Sequence, residues 1–229
     1  MRGLERIRSN IETAGSVEEQ ALLCPPASPK DIWDWIRENY PEEMHLPLNT
    51  DLLIEFIGIE PHSYDFKSMN YTAIFPIVGS TDVYIDKSGA VMNVNINIAD
   101  DLDEYHYRWV LAHIYAHFLT GQWNFAFPAG KVRQITLFET TNTININNRD
   151  FMEAECNNFA MELLLPASSI DAVLYQAPVP ELSYMSTGVP YEILEKQAGR
   201  FHKKLVGKQG PNFRPTGTIK LLQIGRSCF

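Results

Sequence analysis

The sequence predicts an α+β fold built as essentially one domain. Apolar residues with helical spacing come first, in DIWDWIRENY and in PLNTDLLIEFIGI. From about 71 to 99 the pattern changes to short, β-branched, partly alternating runs separated by glycine turns, which is typical of a small antiparallel sheet. Helical patterns then return around 104–119, 150–165 and 190–206. Helices therefore flank a compact β region, which is an α+β arrangement.

The first two helices and the sheet have recognisable start and stop signals. Asp31 opens the first helix, Thr50 or Asp51 can cap the second, and Gly58 can end it. The predicted strands lie in YTAIFPIV, DVYIDKSG and AVMNVNINI, and a second β-like stretch, RQITLFETTNTININ, covers 133–147.

The later helices are bounded in the same way. A helix that carries two histidines runs from about Glu104 to Leu119 and ends near Gly121. Asp150 caps the next helix, with Glu153 three residues on as in a capping box, and Pro166 ends it. The last helix covers about 190–206 and has a proline in its first turn.

Composition favours a folded protein. Apolar residues make up 45% and aromatic residues 11% of the 229 positions, far more than a disordered chain contains. Three widely separated cysteines argue against a disulfide framework and for a reducing compartment, so we expect a cytoplasmic protein. The sequence has neither a secretory h-region nor an apolar run long enough for a membrane span, and we expect no membrane partner.

Charge divides the chain into unequal parts. Residues 196–229 carry eight basic and no acidic residues, which leaves −17 for residues 1–195 out of a net charge of −9. Such an acidic body disfavours direct nucleic-acid binding. We predict a flexible leader at 1–29, the main domain at 30–207 and a basic tail at 208–229. The basic end is either a solvated face or a contact for an acidic partner.

The stretch RWVLAHIYAHFLTG places His113 and His117 four residues apart on one helix face, where two imidazoles can hold one metal ion. Chance alone would give about 0.15 such pairs, so two structural histidines are a real alternative. A third ligand is available in EAECNNFAMELLLP, where Glu155 lies among apolar and small residues. Glu162, two turns on, is either a supporting partner or a helix-end ion pair.

These two segments, RWVLAHIYAH at 108–117 and ECNNFAMELLLP at 155–166, carry a family resemblance. They are similar to RFTxAHExGH and ExNxFAxxLLMP of the ImmA/IrrE-type metallopeptidases of bacteria, phages and mobile elements. The resemblance covers about 45–207 and implies a zincin-like fold, with a small sheet packed on the histidine helix and the glutamate helix. It also implies Zn²⁺ held by His113, His117 and Glu155, and a helix-turn-helix repressor as protein partner.

Ile114 departs from that family pattern, which has glutamate after the first histidine. In zincins this glutamate moves a proton between the metal-bound water and the leaving amine, and losing such a base removes ~10²–10⁴ of the rate. His106 is too far along the helix to share the metal. No spacing argument supports Tyr107 or Tyr115 as an electrophile, or Glu104 or Glu153 as a substitute base. We therefore expect hydrolysis to be lost or very weak, while the three ligands can still bind metal.

Three functions remain open at this point. The chain is a metallopeptidase-like protein that binds a regulatory protein without cutting it, or an active zinc endopeptidase with an unusual base. The third is a component of a toxin or defence system whose basic tail contacts its partner. The sequence assigns no confident catalytic residue.

Overall fold

The computed structural model describes residues 26–68, 73–123, 130–169 and 187–209, with side chains up to 200. Five α-helices lie in these ranges: α1 Pro29–Asn39, α2 Thr50–Ile57, α3 Glu104–Leu119, α4 Phe151–Leu164 and α5 Tyr191–Gln209. Four strands accompany them: β1 Pro61–Tyr64, β2 Ile77–Ile85, β3 Val91–Ala99 and β4 Arg133–Thr140.

The four strands form one sheet in the order β1-β3-β2-β4. β2 pairs antiparallel with both β3 and β4, while the short β1 runs parallel to β3. The predicted α+β class with a small sheet is confirmed. The sheet is mixed, however, because the segment after α2 adds an edge strand that has too few residues to give a sequence signal.

The faces of the sheet follow from strand alternation. Ile96 and Ile98 of β3 are buried against the helices, whereas Asn97 between them faces the other way and donates to Asp82 of β2. Asp82 also accepts from Thr136 of β4. One face is therefore apolar and packed on helices, and the other carries a polar network.

Several element boundaries differ from the sequence prediction. α1 begins at Pro29, because Ser28 caps it and forms a capping box with Asp31. Asn49, rather than Thr50 or Asp51, is the N-cap of α2. The first long strand begins only at Ile77. The strand predicted over 133–147 ends at Thr140, where the backbone N–H of Thr140 donates to the hydroxyl of Thr143 in a turn.

The two helices that carry the predicted site lie where the sequence places them. α3 covers Glu104–Leu119, and Asp103 caps it by accepting from two backbone N–H groups. Asp150 caps α4, and that helix ends one residue before Leu165. α3 and α4 pack on each other, and every residue from 109 to 119 is buried. The centre of the molecule is thus the histidine helix itself.

Gly79 lets α3 approach the sheet closely. A Cβ built on Gly79 would lie 2.9 Å from Cδ1 of Ile114, 3.3 Å from Cγ1 of Val110 and 3.3 Å from the carbonyl oxygen of Asn97. Gly79 is also the register partner of Glu139 on β4. The same close approach therefore brings Glu139 near the histidine helix.

The domain limits at the chain ends fall mostly outside the described residues: 1–25 of the leader and 210–229 of the tail. The strand predicted from 71 is described only from residue 73. Among the described helices, none combines the length and apolar character that crossing a bilayer requires.

We expect Gly79→Ala to lower the free energy of unfolding by ~1–3 kcal/mol, because the added methyl overpacks the α3–β2 contact. Ile114→Val removes the Cδ1 atom that the new methyl would meet and should cost ~0.5–1.5 kcal/mol alone. The double variant should therefore lose less free energy of unfolding than the two single variants lose together. Urea denaturation of the four proteins measures this coupling, and strict additivity would contradict the packing described.

Candidate metal centre

Helix α3 brings the two predicted histidines together inside the core. His113 is fully buried and His117 is 3% exposed. Their Nε2 atoms lie 3.2 Å apart, and the two rings meet at 80°. The i, i+4 spacing therefore does what the sequence predicts: both imidazoles present one nitrogen to the same point.

Asn157 fixes the orientation of His113. Its side-chain N–H group donates to the carbonyl oxygens of Thr143 and Asn145, at 3.0 and 3.1 Å. Its Oδ1 is then an acceptor for Nδ1 of His113, 3.0 Å away. With the proton held on Nδ1, the neutral ring presents the lone pair of Nε2, which is the arrangement a metal-binding histidine needs.

Gln122 does the same for His117. Its Nε2 donates to the carbonyl oxygen of Met152 and to Oε2 of Glu155, at 3.2 and 3.0 Å. Its Oε1 lies 2.6 Å from Nδ1 of His117 and accepts that proton. The second ring is thereby held in the same tautomer, with its Nε2 free.

Glu155, the sequence-predicted third ligand, does not join the histidines. Its side chain is exposed and binds Gln122 instead. The reason is helical geometry: residues two apart point about 200° away from each other, so Glu153 and Glu155 cannot both face α3. The geometry gives Glu155 the role of holding Gln122, which in turn holds His117.

Two other carboxylates face the histidines. Oε2 of Glu153 lies 3.2 Å from Nε2 of His113 and 3.7 Å from Nε2 of His117. Glu139, from β4, approaches from the sheet, with one oxygen 3.3 Å from Nε2 of His113 and the other 3.4 Å from Nε2 of His117. The four side chains offer ligand atoms that all lie within 4.8 Å of one another.

This arrangement fits a metal ion better than a hydrogen-bonded cluster. Both oxygens of Glu139 and Oε2 of Glu153 are buried without a hydrogen-bond partner. A tetrahedral ion with ligands at ~2.0–2.2 Å separates neighbouring ligand atoms by ~3.3–3.6 Å. The two Nε2 atoms lie 3.2 to 3.7 Å from each other and from the nearest oxygens of the two carboxylates. Two imidazoles and two carboxylates suit a divalent first-row ion such as Zn²⁺.

The pKa values of the cluster show that its buried carboxylates favour positive charge beside them. Burial by itself would lower the pKa of His113, but Glu139 and Glu153 outweigh it and raise that pKa to about 9. Burial opposes charge on His117 as well, yet Cys156 and Glu139 raise its pKa to about 10. Burial would raise the pKa of Glu139, and the two histidines instead hold it far below its usual range. Protons or a metal must neutralise the two carboxylates.

The comparison with known protein families matches this geometry. A family model described as IrrE N-terminal-like domain, a peptidase family, matches residues 78–198. The chain belongs to this family. No curated protein matches the chain.

Within the IrrE N-terminal-like family, members usually depend on a metal. The matched residues contain β2 from its second residue onward, β3, α3, β4 and α4, and therefore all four side chains of the cluster. Family membership thus places a metallopeptidase fold around the site, and the sequence-based assignment to this family is confirmed.

Other residues considered from the sequence make different contacts. Tyr115 donates its hydroxyl to the carbonyl oxygen of Ile59, and Glu104 pairs with Arg108. His106 binds the helix cap, Asp103. Glu162 accepts from Gln197 and from a backbone N–H, and among the described residues it forms neither an ion pair nor a contact with the cluster. Of the substitute bases considered, the geometry brings in only Glu153.

We expect Glu153→Ala to weaken Zn²⁺ binding far more than Glu155→Ala. Removing a ligand atom should cost more than the ~10–100-fold that follows loss of an outer partner such as the Glu155–Gln122 contact. Isothermal titration calorimetry with both variants measures the difference. Equal losses would restore Glu155 as a ligand.

Metal binding should release protons and strengthen as pH rises through neutrality. The neighbouring acidic side chains raise the pKa of His113 to about 9 and that of His117 to about 10, which favours protons in the metal-free site at neutral pH. A metal must displace those protons, so apparent affinity should rise by up to ~tenfold per pH unit for each proton released. Calorimetry in buffers of different ionisation enthalpy counts the protons. An affinity independent of pH would contradict this account.

Proposed function

We propose that this chain is a cytoplasmic, metal-binding member of the IrrE N-terminal-like family in which peptide hydrolysis is lost or very weak. It acts by binding a regulatory protein, such as a helix-turn-helix repressor of a phage or mobile element, without cutting it. The single observation that carries this proposal is the side chain that follows the first histidine, Ile114. The buried free thiol of Cys156 is consistent with a reducing compartment.

The side chain of Ile114 belongs to the hydrophobic core and not to the metal site. It is fully buried, and its Cδ1 atom is the closest neighbour of a Cβ built on Gly79. The side chain has no group that can accept a proton, so it cannot perform the step that the family's glutamate performs.

A divalent ion bound here would supply polarisation of a peptide carbonyl or a water. The chain's own residues would hold it through His113, His117 and Glu153, and Asn157 and Gln122 would orient the rings. Holding the ion and orienting the rings would serve partner binding or fold stability as well as hydrolysis. Hydrolysis also requires proton transfer, which Ile114 cannot perform.

Charge supports a partner with a basic surface. Residues 1–195 carry a net charge of −17, whereas a DNA-binding repressor must present cationic residues to phosphate. Opposite fields of this kind speed association and favour the correct pairing. A repressor held by its DNA-binding face would be inactivated without being cleaved.

One observation favours a second candidate, an active zinc endopeptidase with an unusual base. Glu139 is a 1%-exposed carboxylate directly beside both histidines, and a carboxylate is the group that Ile114 fails to provide. This candidate requires a free Glu139 oxygen close to the reacting water.

The decisive experiment mixes the Zn²⁺-loaded full chain with the repressor encoded next to it or captured from its native host. We expect the two to co-elute in size-exclusion chromatography, with the repressor intact by mass spectrometry. A chelator and the His113→Ala variant serve as controls, because both remove the metal. Efficient cleavage that both controls abolish would overturn the proposal in favour of the endopeptidase.

A further inference from the structure

Glu139 is the one residue of the cluster that sequence reasoning gave no role. It lies near the end of β4 and is 1% exposed, and neither carboxylate oxygen has a hydrogen-bond partner. A buried, unpartnered carboxylate is costly unless a cation lies beside it. A three-ligand site places a cation near Glu139 but gives the carboxylate no contact of its own with that cation.

The position of Glu139 is that of a ligand. Its oxygens lie 3.3 and 3.4 Å from the two Nε2 atoms, close to the 3.2 Å that separates those atoms from each other. Oε2 of Glu153 lies 3.2 Å from Nε2 of His113 and 3.7 Å from Nε2 of His117. These contacts are longer than charged N–H···O bonds and close to the ~3.3–3.6 Å that separates neighbouring ligand atoms around a four-coordinate ion.

We propose that Glu139 is a fourth protein ligand, so that His113, His117, Glu139 and Glu153 close the coordination sphere of one divalent ion. The inference rests on the metal binding of the proposed function and specifies what kind of site it is. Catalytic zinc sites keep one position open for water, whereas structural sites are filled by four protein ligands. This centre is therefore structural and fastens β4 to α3 and α4.

The charge balance agrees with a closed site. Two carboxylates neutralise a divalent ion, and both imidazoles are already held with Nε2 free by Asn157 and Gln122. A site without bound water has no proton to transfer. Such a site needs no general base, and Ile114 at that position is compatible with it.

Glu139 is a poor fit as a general base. Such a base accepts a proton from a water beside the metal and so keeps an oxygen directed at that water. Here the two oxygens straddle the two histidine nitrogens, one oxygen to each ring. This placement beside both ligand nitrogens suits a ligand better than a base.

Metal titrations of the full chain test the fourth ligand directly. Glu139→Gln keeps the size of the side chain and should weaken Zn²⁺ binding by about 100-fold or more, because it removes a ligand rather than an outer partner. Glu139→Asp keeps the charge but withdraws it by one methylene, and should also bind more weakly. Glu38→Gln, at an exposed position of α1, is the matched control and should bind as the wild type does.

Co²⁺ gives a readout that does not depend on activity. The wild-type Co²⁺ protein should show the intense visible absorption of four-coordinate cobalt, and Glu139→Gln should show a shifted band because water replaces the carboxylate oxygen. Circular dichroism and metal-free melting of both variants establish that each is folded. Should Glu139→Gln not fold, Glu139→Asp provides the same comparison.

The outcomes separate this inference from the proposed function. If the wild type binds metal, and the folded Glu139 variants keep its affinity within about threefold and an unchanged spectrum, the fourth ligand is overturned while the metal site stands. If the wild type binds neither Zn²⁺ nor Co²⁺, both the inference and the metal binding fail. If Glu139→Gln keeps the metal but abolishes cleavage of a repressor, Glu139 is a base and the endopeptidase replaces the proposal.

Discussion

The structure depends on one electrostatic constraint: four side chains direct acceptor atoms at a single point in the core. Once the histidine tautomers are set by their Nδ1 contacts, two nitrogen lone pairs and two carboxylates face one another away from water. No combination of these neutral and negative groups is stable without a cation. The elements that supply them, α3, α4 and β4, can pack together only if protons or a metal occupy that point.

The surrounding contacts are arranged to meet this constraint. Asn157 and Gln122 each use their N–H groups on backbone carbonyls or a carboxylate, which leaves only an oxygen to receive the histidine proton. Each amide therefore sets a tautomer rather than merely touching a ring. Glu155 belongs to this outer layer. Its place one contact away from His117 explains why a carboxylate at this position accompanies the site without lying in it.

Much of the fold could be predicted from the sequence, because its signals are local. Asp103 and Asp150 cap their helices, and the apolar spacing gives α3 and α4 nearly to the residue. The histidine pair follows from helical periodicity alone. Glu139 could not be assigned in this way, since its approach to α3 depends on β2–β4 pairing and on the small size of Gly79. The only local signal is that it shares the inward strand parity of Ile135 and Leu137, where an apolar residue is expected.

The sequence also could not show whether Glu153 or Glu155 faces the two histidines. Both lie in the first turns of α4, and either satisfies the rule that a carboxylate from a second helix completes a two-histidine site. Which one faces α3 depends on the rotation of α4 about its axis. That rotation is set by packing, through contacts such as the Asn157 anchor to the turn after β4.

Ile114 and Glu139 are best understood together. Ile114 packs on Gly79, and Gly79 is the register partner of Glu139, so position 114 lies against the strand pair that carries Glu139. A glutamate at 114 would bring a further negative charge toward a buried carboxylate that lacks a hydrogen-bond partner. Like charges repel strongly in the interior. An apolar side chain at 114 therefore suits a carboxylate at 139, and this repulsion links the missing base to the additional carboxylate.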